Sequence, residues 1–226
     1  MEFPFTRIKG GVGAPRGFLT SAVGCGIKNP EVKRLDLALI YSDAPCTSAG
    51  TFTTNRVKAA PVRVSQAHLR KGSLRAIVAN SGNANACTGV QGIHDAKAMA
   101  DAVAGPLDLN RSETGVCSTG VIGLPMPMAR IEPAFPELVA GLGRRNGGAV
   151  AQAIMTSDTR PKELAISFEL GGYRVRLGGC VKGAGMISPS MATMLCFITT
   201  DAAVPKDALQ KAVLEAVEES FNRITI

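Results

Sequence analysis

A chain of 226 residues, 46% apolar and 19% charged, can bury a real core in one large domain or two small ones. Its 25 glycines and 13 prolines demand frequent turns, so a globular, turn-rich α/β or α+β protein is expected; with no Trp and two Tyr, it lacks the stacking surfaces that grip single-stranded nucleic acid. The net charge of +7 is uneven: no acidic residue falls between Ala44 and His94, where Arg56, Lys58, Arg63, Arg70, Lys71 and Arg75 cluster, giving either a solvated basic face or a surface that attracts acidic small molecules or nucleic acid.

In chain order, LDLALIY (35–41) reads as a buried strand and AGTFTTN (49–55) as a second, rich in β-branched residues. RAIVAN (75–80) is a third, running into the polar small-residue loop SGNANACTG. From Gln91 to Ala104 the residues Ile93, Ala96, Met99, Ala100 and Val103 recur at helical spacing and stop before Gly105-Pro106. GVCSTGVIG (115–123) suggests a short strand broken by a Thr-Gly turn, and Ile131 to Leu142 and Gly148 to Met155 suggest short helices. Residues 163–179 form the clearest hairpin signal, two strands around Gly171-Gly172. A strand from Thr193 to Thr199 follows, then a helix from Pro205 to Asn222. The final RITI is the apolar opening of a strand cut short, which predicts a fragment or one product of a larger chain.

The six cysteines are scattered without a C-x-x-C pair and only His68 and His94 could join them on a metal, so no zinc site is expected and the thiols read as buried and structural. The start, MEFPFTRIKGG, has no apolar core of signal-peptide length, and no run approaches a membrane span; a cytoplasmic protein that binds neither membrane nor nucleic acid is expected. GGVGAPRG (10–17) lacks the Gly-Lys-Ser/Thr of a P-loop.

Chemistry concentrates in VKGAGMISPSMATMLCFITTDA, Val181 to Ala202. A hydroxyl residue, Thr193, stands where a glycine-rich turn becomes an apolar strand, behind the small Ala192 and downstream of a lone Lys182. Hydroxyls need a base to become nucleophiles, and with two histidines in the chain a Ser-His-Asp arrangement has few candidates. An N-terminal threonine carries its own base, an α-amine titrating at about 7.7–8.0. That requires the Ala192–Thr193 bond to break, by attack of the hydroxyl on its own preceding carbonyl and hydrolysis of the resulting ester. Spacing alone leaves open that Thr193 merely begins a β-strand.

This stretch resembles the ornithine acetyltransferase (bifunctional glutamate N-acetyltransferase) family of arginine biosynthesis, and so do GVGAPRGF at 11–18, DLALIYSD at 36–43, FTTNRVKAAPV at 52–62, NSGNANACTG at 80–89, STGVIG at 118–123, SDTRPK at 157–162 and ESFNRITI at 219–226. The resemblance implies a layered α/β fold of α-β-β-α type, similar to self-cleaving N-terminal-nucleophile amidases and aminopeptidases. It implies one incomplete structural domain, with 1–192 preceding the cut and 193–226 beginning the part after it. It implies self-cleavage between Ala192 and Thr193, Thr193 as the nucleophile and a substrate-binding residue, Thr119 and Gly120 as the oxyanion hole, and Thr156 and Lys182 as substrate-binding residues. The Lys182 ammonium suits a substrate carboxylate and would lower the amine pKa of Thr193. Asn80, Asn83 and Asn85 are expected to order the neighbouring loop without a catalytic role. The implied substrates are N-acetylornithine and glutamate, with no cofactor or metal; some members of the family accept acetyl-CoA, with which the basic stretch is compatible. The complete enzyme is expected to assemble as a heterotetramer of cleaved α and β chains. The alternatives are an amidase or aminopeptidase with the same nucleophile, or an inactive truncated fragment.

Overall fold

The computed structural model describes residues 4–32, 34–144, 146–185 and 193–224. The strands are β1 (Thr6–Ile8), β2 (Phe18–Val23), β3 (Leu37–Ser42), β4 (Ala76–Asn83), β5 (Thr114–Val121), β6 (Lys162–Leu170), β7 (Tyr173–Lys182) and β8 (Leu195–Thr200). The α-helices are α1 (Ala60–Lys71), α2 (Gly89–Ala104), α3 (Met128–Ile131), α4 (Phe135–Ala140), α5 (Gly147–Ala153) and α6 (Lys206–Glu219). One sheet runs β2-β3-β4-β5, antiparallel except for the parallel β4–β5 pair; the other runs β1-β6-β7-β8 and is antiparallel throughout. A parallel pair cannot be closed by a tight turn, and α2 provides the crossover between β4 and β5.

The first sheet is buried on both faces, which is why LDLALIY reads as a continuous apolar run rather than an alternating one. Leu37, Leu39, Val78 and Val116 meet Val64 of α1, Met99, Ala100 and Val103 of α2 and Leu138 of α4. On the opposite face, Ala38, Ile40 and Ala79 join Val12, the α5 residues Val150, Ala151 and Ala153, Ile154, and then Cys180 and Phe197 of the second sheet. Helices, sheet and sheet are thus stacked in layers, the α/β arrangement expected. The outer face of the second sheet carries exposed Leu164, Leu170, Tyr173 and Ile198. By register Leu164, Gly179 and Ile198 form one row across three strands, and Leu170 sits opposite Tyr173.

Several expected elements differ. Residues 49–55 form no strand: their β-branched threonines favour extended backbone, but no neighbouring strand accepts them. The helix α1 that follows was hidden because its inner face is partly polar. Ser65 Oγ donates to Val116 O (2.7 Å) and accepts from Val116 N (2.8 Å), and His68 Nδ1 lies 2.8 Å from Thr114 O. β1 and β2 were also not foreseen. The expected helix 131–142 is divided at Pro133 and Pro136 into α3, a 3-10 turn at 132–134, and α4. Pro205 caps α6 from outside instead of occupying its first turn. Cys87 is exposed, unlike the other free thiols.

β5 is also not broken at Thr119-Gly120; it continues through them, because β4 bulges at Gly82 and Asn83 to stay in register. That close approach demands glycine. Gly120 has φ +136°, and a Cβ there would lie 2.3 Å from the Gly82 carbonyl carbon and 2.6 Å from Asn83 N. Gly120→Ala is expected to destabilise the protein by about 2 kcal/mol or more, read as a lowered denaturant midpoint at unchanged m-value.

Candidate active site

The parallel strands β4 and β5 end side by side, with Ser81 opposite Thr119 and Gly82 opposite Gly120. Inner-face residues alternate, so Thr119 points the same way as Cys117, toward the second sheet. There it meets Lys182, the last residue of β7. The Lys182 Nζ donates to Thr119 Oγ1 at 3.1 Å, and Lys182 is only 3% exposed. A hydroxyl that accepts from an ammonium keeps its own proton for another acceptor. Burial lowers the Lys182 pKa below the ordinary lysine value; nearby Asp158 opposes that shift and Lys162 adds to it.

The second sheet carries Thr193 to the same end. Leu195 opens β8 opposite Lys182, and Thr193 stands two residues before it, exposed. Its φ of +60° puts a β-branched residue in the left-handed region, a strain of about 1–3 kcal/mol. Ala192 lies outside the described residues. Gly120 is exposed at the end of β5, while Thr119 is buried.

Thr156 follows α5 and is joined to the Lys182 region through Asp158, a residue that sequence reasoning missed. Asp158 Oδ2 accepts from Thr156 N (3.2 Å), Oδ1 accepts from Gly183 N (3.0 Å), and the Lys162 ammonium pairs with Oδ1 while also donating to Gly183 O (2.9 Å). Burial would raise the Asp158 pKa; the Lys162 ammonium and the Gly183 and Thr156 amides outweigh it and hold the carboxyl at about 2. In SDTRPK the opposite charges stand four apart, but the segment is not helical and contains Pro161, so that spacing gave no signal of the pair. Arg34, one of several charges in the 31–36 loop, gave no signal; its Nη2 donates to Met155 O (2.9 Å) and Ser81 Oγ (3.4 Å), bracing the turn before Thr156 against β4.

The asparagines order the loop as expected. Asn83 Nδ2 donates to Leu124 O and Pro125 O, Asn83 Oδ1 accepts from Asn85 N, and Asn85 Nδ2 donates to Gly92 O at the start of α2. A cavity of about 420 Å³ lined by Lys28, Asn29, Val32, Arg34 and Asp36 adjoins this end of β4, where Lys28 packs on Gly82. Another, of about 340 Å³, lined by Cys46, Lys71, Arg75 and Glu113 among others, opens at the far end of the β4–β5 pair. No cluster of His, Cys, Asp or Glu suited to a metal ion occurs among the described residues.

A buried ammonium thus donates to a hydroxyl next to a glycine strand end, and a strained threonine leads into the strand paired with the ammonium's own, all on a layered α/β frame. That frame is shared with the L-aminopeptidase D-Ala-esterase/amidase of Ochrobactrum anthropi, described as a variant of the Ntn hydrolase fold, at TM-score 0.57 and 14% identity over 99% of this chain and 72% of that one. At this identity the likeness shows the fold alone, which is Ntn-hydrolase-like.

The sequence model of the ArgJ family matches residues 19–226, and the chain belongs to that family. The arginine biosynthesis bifunctional protein ArgJ of Symbiobacterium thermophilum is 49% identical over 219 residues, which is 97% of this chain and 54% of that protein. The chain thus spans about half the length of the curated relatives it matches. Ornithine acetyltransferase from Mycobacterium tuberculosis, solved in complex with ornithine, superimposes at TM-score 0.75 with 41% identity, covering 83% of this chain and 99% of that chain.

The depressed Asp158 pKa has a consequence for stability. A carboxylate whose folded pKa lies below its unfolded value stabilises above the unfolded pKa, near 3.8, and that contribution is lost as pH falls through about 2. Acid unfolding should therefore draw about 2 kcal/mol from this group. In Asp158→Asn, the loss of stability between about pH 4 and pH 2 should be shallower by that amount, measured by denaturant titration at stepped pH.

Proposed function

We propose that this protein is a self-processing acetyltransferase that moves an acetyl group from N-acetylornithine to glutamate. The observation that carries the reading is the buried Lys182–Thr119 hydrogen bond, which unites two family motifs from different sheets where β8, entered through Thr193, pairs with Lys182. Residues 1–192 form the part before the cut and 193–226 begin the part after it.

In the first stage the Thr193 hydroxyl attacks the Ala192 carbonyl carbon. The Ala192–Thr193 amide becomes an ester, the nitrogen taking up a proton, and water then cleaves the ester to leave a carboxylate on Ala192 and a free amine on Thr193. The left-handed φ of Thr193 supports this step, since strain in the uncut chain is relieved when the bond opens. The solved mycobacterial relative also supports it: a chain covered to 99% by 83% of this one has about the length of the segment before Thr193.

In the second stage the Thr193 amine takes the hydroxyl proton and the oxygen attacks the acetyl carbon of N-acetylornithine. Negative charge develops on the acetyl oxygen, where the Thr119 hydroxyl, already turned outward by the Lys182 ammonium, and the Gly120 N–H donate. Each such donor is worth about 2.7–4 kcal/mol of barrier. The tetrahedral carbon collapses, the amine proton passes to departing ornithine, and an acetyl-threonine ester remains. Glutamate's amine attacks that ester, the reverse of the ornithine departure, and N-acetylglutamate leaves. Lys182 and Thr156 hold the amino-acid portion, consistent with the ornithine bound in the mycobacterial relative.

The same reading includes two cleaved chains per unit, assembled as a heterotetramer in the cytoplasm, with acetyl-CoA as a further acyl donor and no cofactor. The exposed apolar outer face of the second sheet supports additional chain covering it. No helix among the described residues is long and apolar enough to cross a membrane.

Intact-mass measurement of the full-length protein should give two pieces divided before Thr193. Thr193→Ala should give one piece and lose acetyl transfer by about 10⁴-fold or more, whereas Thr193→Ser should still divide. Acetate release from N-acetylornithine that is equal with and without glutamate would overturn the transferase in favour of a hydrolase.

A further inference from the structure

We infer that Asp158 and Lys162 are positioning residues for this reaction, holding Thr156 and Gly183 in one frame so that the Lys182 ammonium stays aimed at Thr119. The inference rests on the acetyltransferase reading and deepens it. The geometry is specific. The Asp158 side chain is 1% exposed and both its oxygens are used, Oδ2 on the Thr156 amide and Oδ1 on the Gly183 amide and Lys162. Lys162 closes the frame by donating to Gly183 O as well as pairing with Asp158. Each backbone group they hold therefore belongs to a proposed substrate residue, Thr156, or to the neighbour of one, Gly183 beside Lys182. Gly183 also precedes the segment that leads to Thr193.

A pair that only stabilised the fold could sit anywhere; this one also sets the field at the Lys182 ammonium. Among the charged groups near it, Asp158 favours its protonation and Lys162 opposes it. Glu163 of β6 also lies on the inner face, where it packs at Gly11 and Gly148, and Arg176 lies three register positions down β7 from Gly179. Thr119 contributes a neutral hydroxyl from the other sheet. Lys182 must carry its proton to polarise Thr119. Removing the Asp158 charge therefore makes that proton easier to lose, and removing the Lys162 charge makes it harder. The two substitutions push the alkaline limb of the pH–rate profile in opposite directions, which loss of packing would not do.

The test measures acetyl transfer from N-acetylornithine to glutamate by the full-length protein between about pH 6 and 10, after intact mass has shown the cut. Asp158→Asn is expected to lower kcat/KM by about 10²-fold and move the alkaline limb to lower pH. Lys162→Met should also lower kcat/KM but move that limb to higher pH, and Lys162→Arg should restore both rate and limb. If Asp158→Asn does not fold, Lys162→Met and Lys162→Arg carry the comparison, because the Lys162 side chain is 39% exposed. Variants that fold, divide and give profiles superimposable on the parent overturn the positioning role while leaving the acetyltransferase intact. A parent protein that neither divides nor transfers acetyl groups sinks the underlying reading before any variant is compared.

Discussion

The candidate site depends on one polar contact at the end of a largely apolar layer between the sheets. Between the two sheets lie Ala38, Ile40, Ala79, Val150 and Phe197, and at one end of that layer the Lys182 ammonium meets the Thr119 hydroxyl. Placing a cation in such surroundings opposes its charge, which is why burial lowers its pKa. The protein tolerates it by surrounding the ammonium with a hydroxyl acceptor on one side and the Asp158 carboxylate beyond. Asp158 must then remain ionised, and its three donors ensure that. The sequence of dependence runs from the Asp158 frame to Lys182, from Lys182 to the orientation of Thr119, and from Thr119 to the end of β5.

The fold supplies this constellation because a parallel pair ends where its crossover loop begins. β4 and β5 deliver Thr119 and Gly120 to the same edge as the loop before α2, and Asn83, at the end of β4, binds that edge to residues 124 and 125. The second sheet arrives at the same edge from the other side through the antiparallel β7–β8 pair, whose register sets Leu195 opposite Lys182. Two sheets with different topologies thus meet at a shared end, and the candidate groups are divided between them. Neither sheet contains the site by itself.

What was legible in the sequence follows from which forces are local. The hairpin around Gly171-Gly172 was evident because both glycines adopt positive φ, 58° and 80°, in a two-residue turn between β-rich strands. The helix α2 was evident because its buried face is nearly all apolar. The helix α1 was not, since Ser65 and His68 interrupt its buried stripe, and their reason for being inside is the backbone of β5, which lies far away in sequence. The threonine-rich 49–55 segment misled in the opposite sense, because extended propensity makes a strand only when a partner edge is available. For the candidate site, motifs shared with the family in distant parts of the chain point to Thr119, Thr156, Lys182 and Thr193. The Asp158–Lys162 frame and the Arg34 brace were not legible, because their meaning lies in which backbone groups they meet, and no spacing encodes that.

In the proposed function, self-cleavage and acetyl transfer share a physical demand that would let one set of groups serve both. In each, an oxygen attacks a carbonyl carbon and negative charge grows on the carbonyl oxygen, so donors placed for one step are placed for the other. The steps differ in the base. In the uncut chain the nitrogen of Thr193 is an amide and cannot take the hydroxyl proton; after the cut it is an amine titrating near neutrality, at about 7.7–8.0. The proposed first step must therefore rely on strain and proximity, and the left-handed backbone of Thr193 would supply the former. The second can be repeated because the base is regenerated with each turnover. On this reading the cut converts a strained strand entry into a nucleophile and its base on a single residue, and the Lys182–Thr119 bond, made by groups on either side of the gap, does not have to move between the two reactions.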